Sequence, residues 1–280
     1  MTVALVLEGG GIRSAFTCGV LKSLLEENIP FSTVVGTSTG ALCGAYYRAG
    51  QGDVIENIFG EVFKYLPAPS LKMMLNKKAF DLAKLFDTLT EAFPLDMEAF
   101  SQADSSFSVA TTRADNGDAT FWRVGQLDEW KRLRHYLKAT LALPGIEDPV
   151  SLMERSYFSG DIAAALPIDD EFPVDKMIVV QTHPVGYVMS RRHMSLSDTR
   201  SYRPYPKLKN VMLLHHLKYN NQLNMLEDWS LKGKAHCIRP VVDSVKRYGS
   251  TEAAAAEFYT EGYRLVKEQL PRIKHIAGVE

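Results

Sequence analysis

The chain has 280 residues with near-balanced charge, 32 Lys+Arg against 33 Asp+Glu, and 46% hydrophobic residues. The balance argues against a dedicated nucleic-acid binder, which carries a basic excess, and the apolar content excludes a globally disordered chain. Cys18, Cys43 and Cys237 offer neither a disulfide framework nor zinc spacing, so buried, reduced thiols in a cytoplasmic protein are expected.

The N-terminus has no basic n-region, and its apolar run is too short for a signal peptide. No stretch approaches the roughly 20 apolar residues that span a bilayer, so any membrane contact is peripheral. Val3 to Leu7 reads as a strand buried on both faces of a parallel sheet, ended by Glu8-Gly9-Gly10-Gly11. A helix is predicted over Ser14 to Glu27, with Val20, Leu21, Leu24 and Leu25 inward and Asn28 as a left-handed cap. Phe31 to Val35 is the second strand, broken by Gly36-Thr-Ser-Thr-Gly40; Ala41 to Ala49 is the next helix and Gly50 ends it. Strand, helix, strand, helix within 50 residues is a βαβ unit with a right-handed crossover.

Residues 53–100 read as mostly helical, broken at Pro67, Pro69 and Pro94. Phe107 to Thr111 and Ala119 to Val124 are strands joined by an Asn116-Gly117 hairpin turn. Lys131 to Leu143 is a helix stopped by Pro144-Gly145, and Met177 to Gln181 is another buried strand. Helices are predicted over Val211 to Leu231 and Glu252 to Leu270, with a strand at His236 to Val242 between them. Without repeats, low-complexity tracts or linkers, 1–280 reads as one α/β domain.

Gly36-Thr37-Ser38-Thr39-Gly40 has the G-x-S-x-G form of a nucleophile elbow and lies between a strand and a helix. A tight turn there lifts the Ser38 hydroxyl out of the sheet at the positive end of a helix, and Gly36 and Gly40 leave room for close packing. The bland alternative is an ordinary strand-to-helix turn with a capping Ser; the flanking context favours the nucleophile. Gly9-Gly10-Gly11, with Ile12 and Arg13 following, exposes consecutive backbone N–H groups that can cradle a phosphate or a tetrahedral oxyanion. A dinucleotide site would need a third motif glycine, where Ser14 stands, and an acid after the second strand, where Ser38 stands. No dinucleotide cofactor is therefore expected.

Leu7-Glu-Gly-Gly-Gly-Ile-Arg13 followed by Val34-Val-Gly-Thr-Ser-Thr-Gly-Ala41 resembles the patatin-like phospholipases, particularly their bacterial branch. Phe107-Ser-Val-Ala-Thr-Thr112 with Asn116-Gly117, Ala142-Leu-Pro144 and Tyr219-Asn-Asn-Gln222 extend the resemblance over nearly the whole chain. It implies a three-layer α/β/α fold with a mostly parallel sheet and hydrolysis of lipid acyl esters by a Ser–Asp dyad, without cofactor or metal. By position, Ser38 would attack the carbonyl. The oxyanion hole would come from the Gly9, Gly10, Gly11 and Ile12 loop, supported by Arg13.

The family places its dyad Asp in an Asp-Gly-Gly or Asp-Gly-Ala motif. Anchored on Tyr157, Gly160 and Pro167, this chain has Ser159 in that column and an acid two places later, at Asp161. Three readings follow. Asp161 takes over as base, because residues two apart in an extended segment point to the same side. Alternatively, the site is impaired, and the protein binds lipid or a protein partner without turnover. In the third, His183, after a buried strand, serves as base in Ser-Asp-His order.

Arg191, Arg192, Arg200, Arg203, Lys207, Lys209 and Lys218 crowd 184–218 against the single acid Asp198, with Tyr187, Tyr202 and Tyr205 between them. The segment reads as a patch for anionic headgroups or as a solvated loop, and the motif-bearing core favours lipid over nucleic acid. The apolar and basic residues of 63–80 read as a helix packed on the core, with an acyl-admitting surface segment as the alternative. His215 and His216 cannot face one direction on a helix, so neither is expected to bind metal.

Overall fold

The computed structural model describes residues 1–65, 82–125, 129–168, 174–191, 193–241, 245 and 251–279. Its strands are β1 (Val3–Leu7), β2 (Thr33–Thr37), β3 (Ser106–Arg113), β4 (Ala119–Val124), β5 (Val150–Leu152), β6 (Arg155–Ser159), β7 (Lys176–Val180) and β8 (Ala235–Ile238). All belong to one sheet of order β5-β6-β3-β2-β1-β7-β8, with β4 paired to β3. The run β3-β2-β1-β7-β8 is parallel, and β4, β5 and β6 add antiparallel pairs at one end.

The helices are α1 (Ser14–Glu26), α2 (Ser38–Arg48), α3 (Gly52–Tyr65), α4 (Leu82–Ala92), α5 (Met97–Gln102), α6 (Trp130–Leu141), α7 (Leu196–Ser201), α8 (Pro206–Leu231) and α9 (Glu252–Ala277). They flank both faces of the sheet. Period-two alternation along β1 sends Val3, Leu5 and Leu7 into the larger cluster with Phe16, Tyr46, Leu137 and Phe258 from α1, α2, α6 and α9. Ala4 and Val6 point the other way, onto Tyr219 and Leu226 of α8.

Several boundaries differ from the sequence expectations. The strand expected over Phe31 to Val35 is displaced to Thr33–Thr37, and the helix expected from Ala41 begins at Ser38. No loop separates them. The motif is a one-residue corner. The helix expected to stop at Leu270 runs through Pro271 to Ala277, because Ile273, Ile276 and Ala277 are buried beyond it. Their burial outweighs the one backbone donor that proline removes. The described residues of 53–100 carry α3, α4 and α5, while the 63–80 segment falls largely at 66–81, outside the described residues.

The β5–β6 hairpin was not expected. Leu152 pairs with Arg155, leaving Met153 (φ 46°) and Glu154 (φ 63°) as a two-residue turn with both residues left-handed. Asn-Gly or Asp-Gly usually announces such a turn, and Met-Glu does not. Cys18 and Cys43 are buried with their sulfurs 3.4 Å apart, and Cys237 is half-buried; all three are thiols.

Candidate active site

Ser38 is the corner between β2 and α2, with φ 51°, a left-handed backbone in a residue with a Cβ. Strained geometry of this kind is held only when its surroundings over-determine it. Here the Ser38 N–H donates to Thr140 Oγ1 at 2.8 Å, and Thr140 Oγ1–H donates to Ala110 O at 2.5 Å. Thr140 thus ties the corner to β3. Gly36 and Gly40 permit the close approach: a methyl on Gly36 would lie 2.6 Å from the Ala41 Cα, and one on Gly40 2.5 Å from the Glu8 carbonyl. Thr140→Val is expected to destabilise the chain by about 1–3 kcal/mol, because the buried Ser38 N–H loses its acceptor. A urea midpoint equal to wild type would remove Thr140 from this role.

Beside the corner, Gly9 and Gly10 lead into a 3-10 turn, Gly11–Arg13. The Gly9 N–H donates to Ala165 O and the Gly10 N–H to Thr39 Oγ1, both at 3.4 Å. Arg13 leaves the loop to donate Nε–H to Val245 O at 2.7 Å and Nη1–H to the His183 ring, whose nitrogens lie 2.7 and 2.9 Å away. A guanidinium only donates, so the His183 nitrogen facing it supplies its lone pair and is occupied. The ring also stacks on Tyr187 at 3.7 Å between centroids.

The third component arrives through sheet register. β2 and β6 lie along the same edge of β3, the opposite edge being taken by β4. They run toward each other: Thr37 pairs with Ala110 and Ser159 with Thr111. Their C-terminal ends therefore meet. Gly160 is pressed against Thr37 and the Ala110 carbonyl so closely that a Cβ there would overlap both. Ser159 Oγ accepts the Asp161 N–H at 3.3 Å, which opens a second 3-10 turn, Gly160–Ile162.

This turn carries Asp161 to the Gly-rich loop. A methyl built on Gly9 would overlap Asp161 Oδ1 and sit 3.0 Å from the Ser38 Cβ, so Ser38, Gly9 and Asp161 converge on one point. Asp161 Oδ1 is buried there. Ser159, in the family's acid column, is itself fully buried, with its carbonyl accepting from Thr112 Oγ1 at 2.8 Å.

Glu8 lies beneath the loop, fully buried. It accepts Tyr219 O–H at 2.5 Å on one oxygen, and Thr182 N–H at 2.5 Å and Thr182 O–H at 3.2 Å on the other. Burial pushes Glu8 from its ordinary 4.5 up to about 7; the Tyr219 and Thr182 hydrogen bonds pull it back, and the Asp161 charge adds to the rise. Between those two values the folded chain holds a proton that the unfolded chain has released. Glu8's contribution to stability is complete below pH 4.5 and lost as pH rises through about 7. The wild-type minus Glu8→Gln difference in unfolding free energy should fall by about 3 kcal/mol across that window. Parallel stability curves would show that another group titrates.

Residues 5–172 match the family model described as patatin-like phospholipase. The chain belongs to the patatin-like phospholipase family. A second model, a domain of unknown function termed DUF6363, matches residues 205–278, which span α8, β8 and α9. The lysophospholipase NTE1 of Coccidioides immitis is 27% identical over 99% of this chain, and the Escherichia coli K12 protein YjjU is 25% identical over 65% of it. This patatin-like chain spans only 18% of the NTE1 relative's length and 52% of YjjU. VipD from Legionella pneumophila shares the fold, with a TM-score of 0.51 at 9% identity over 98% of this chain and 67% of that one. Among the described residues no helix is long and apolar enough to cross a membrane, and no three His, Cys, Asp or Glu side chains cluster as a metal site.

Proposed function

We propose that the chain is a lipid acyl hydrolase, a serine esterase of phospholipase A type in which Ser38 and Asp161 form the dyad. The observation that carries this reading is the convergence of the strained Ser38 corner and the buried Asp161 carboxylate on Gly9. In the reaction, Ser38 Oγ attacks the ester carbonyl carbon and Asp161 takes the hydroxyl proton. The carbonyl oxygen becomes an oxyanion, held by backbone N–H groups of the 9–12 loop. Because Gly9 and Gly10 N–H groups have acceptors within the fold, we assign the larger part to Gly11 and Ile12, with Arg13 as buttress. Collapse breaks the C–O bond, and the departing alkoxide takes the proton back from Asp161. Water, deprotonated by Asp161, then releases the acid from Ser38.

An open groove of about 970 Å³ between β4 and α8 supports a lipid substrate. Phe121, Ala164, Ile168, Leu214, Leu217 and Met225 supply apolar walls, Thr120, Lys218, Asn221 and Gln222 add polar groups, and Ala164 and Ile168 belong to the segment that follows Asp161. Ser159 in the family's acid column favours the second reading, an impaired site that binds lipid or a protein partner without turnover. The discriminating experiment is labelling with a fluorophosphonate followed by peptide mass analysis. An adduct on the Ser38 peptide supports the hydrolase; an unlabelled, folded chain favours the second reading.

We place the protein at the membrane surface through 184–218, from a cytoplasmic location. Val185, Val188 and Leu196 are 75%, 72% and 92% exposed there, alongside the exposed Arg191, Arg200, Arg203 and Lys207. Apolar tips among cations suit an anionic bilayer. Sedimentation with phosphatidylglycerol vesicles should be strong at low salt and weak at high salt. Equal binding to phosphatidylcholine vesicles would sink the assignment.

A further inference from the structure

Helix α8 opens the region matched by the domain of unknown function, and one of its faces is devoted to the site. His215, Lys218, Tyr219 and Gln222 stand at i, i+3, i+4 and i+7, which places them in one stripe. Every one reaches the machinery. His215 Nδ1–H donates to Ile162 O at 3.0 Å, Lys218 Nζ to Ala163 O at 2.5 Å, and Gln222 Nε2 to Leu166 O at 3.0 Å. Tyr219 O–H donates to Glu8, the residue on which the Gly-rich loop begins.

The turn after Asp161 is thus strapped from two sides. Three of its carbonyls, at 162, 163 and 166, are held by α8, and a fourth, at 165, is held by the Gly9 N–H. The same face packs Leu208, Met212 and Leu226 into the core at either end; between them the stripe is polar and spends its donors mostly on backbone carbonyls. Ser38 is fixed independently, by Thr140 of α6. Two of the three converging parts, the acid and the oxyanion loop, therefore owe their placement to α8, and the nucleophile does not.

We propose that the polar stripe of α8 is the positioning element of this site: it sets the acid-bearing turn through Lys218, His215 and Gln222, and the oxyanion loop through Tyr219 and Glu8. The inference rests on the hydrolase reading for its kinetic consequence, and gives the region of unknown function a role in that reading. His215 and Tyr219 stand clear of the lipid groove whereas Lys218 and Gln222 also line it, so the chemical step is the readout common to the stripe and an unchanged KM is diagnostic only at Tyr219.

The test uses the full chain, with Tyr219→Phe, Lys218→Met and Lys218→Arg beside wild type and Ser38→Ala. Tyr219→Phe keeps the buried ring and removes only the donor. On a medium-chain p-nitrophenyl ester, Tyr219→Phe should lower kcat roughly ten- to hundredfold at unchanged KM, and Lys218→Met should lower kcat to a similar extent, with KM also free to move because Lys218 lines the groove. Lys218→Arg, which keeps a donor, should retain most of the activity. Wild-type kcat in both donor-deleting variants, with Ser38→Ala inactive, overturns the proposal. If wild type is no faster than Ser38→Ala, the hydrolase reading fails instead, and placement is then read without turnover. Amide hydrogen exchange in Tyr219→Phe and Lys218→Met should speed up at 9–13 and 160–166 while α1 and α2 keep their protection; no change there, or a uniform rise, overturns the positioning role.

Discussion

Ser38→Ala is expected to lower ester turnover by roughly 10⁴-fold or more, to the residual rate that binding and the oxyanion loop sustain without a nucleophile. Alanine keeps the Cβ and the left-handed backbone, so the corner, the Thr140 hydrogen bond and the melting temperature should be preserved. Ser38→Gly is a sharper companion. Glycine adopts φ 51° without penalty, so this variant should be inactive and more stable than wild type by about 1 kcal/mol. A gain in stability with loss of activity marks strain held for function, whereas a purely structural corner would lose nothing in turnover. Turnover surviving in both variants would remove Ser38 as nucleophile.

The parts of this molecule legible in its sequence are those whose signal is local. Val3 to Leu7 is apolar at every position because β1 is covered on both faces, and a run of that kind has few other uses. The elbow was legible because Gly36 and Gly40 are demanded by backbone contacts to residues four or five places away or in the adjoining strand end. The β5–β6 hairpin was not, since its left-handed turn is built from Met153 and Glu154 and held by pairing rather than by turn chemistry. That omission hid the reason Asp161 can approach Ser38: two strands meeting end to end on β3, a relation between residues more than 100 positions apart.

Thr140, Glu8 and Tyr219 were likewise invisible as site components. Thr140 sits in an amphipathic helix where a threonine reads as filler, and only the fold brings its hydroxyl to the Ser38 N–H. Glu8 did carry a signal, an acid between a buried strand and three glycines. A carboxylate there is costly unless it is gripped, and its partners lie 174 and 211 positions away. His183, a candidate base by chain order, lies against the Arg13 guanidinium, a neighbour 170 positions away that chain order could not reveal.

Asp161→Asn should reduce kcat roughly 10²- to 10⁴-fold, the usual contribution of a positioned base, with the nucleophile still reached by fluorophosphonate at a slower rate. Asparagine has the shape of aspartate, so the contact with Gly9 persists and folding should be intact. Loss of the charge has a second consequence. The Asp161 carboxylate raises Glu8, so without it Glu8 should release its proton at lower pH and the associated fall in stability should move below about 7. A kinetic loss accompanied by that displacement identifies a charged Asp161 at the site; a kinetic loss alone would point to disturbed geometry. The paired exchange Ser159→Asp with Asp161→Gly then asks which column serves better. Ser159 ends β6 one residue before Gly160, which is pressed against Thr37, and a glycine at 161 would vacate the space over Gly9, so the exchange should restore turnover lost in Asp161→Asn. Wild-type turnover in Asp161→Asn would remove Asp161 from the mechanism, and an inactive but folded exchange would mean that only the carboxylate at 161 reaches Ser38 productively.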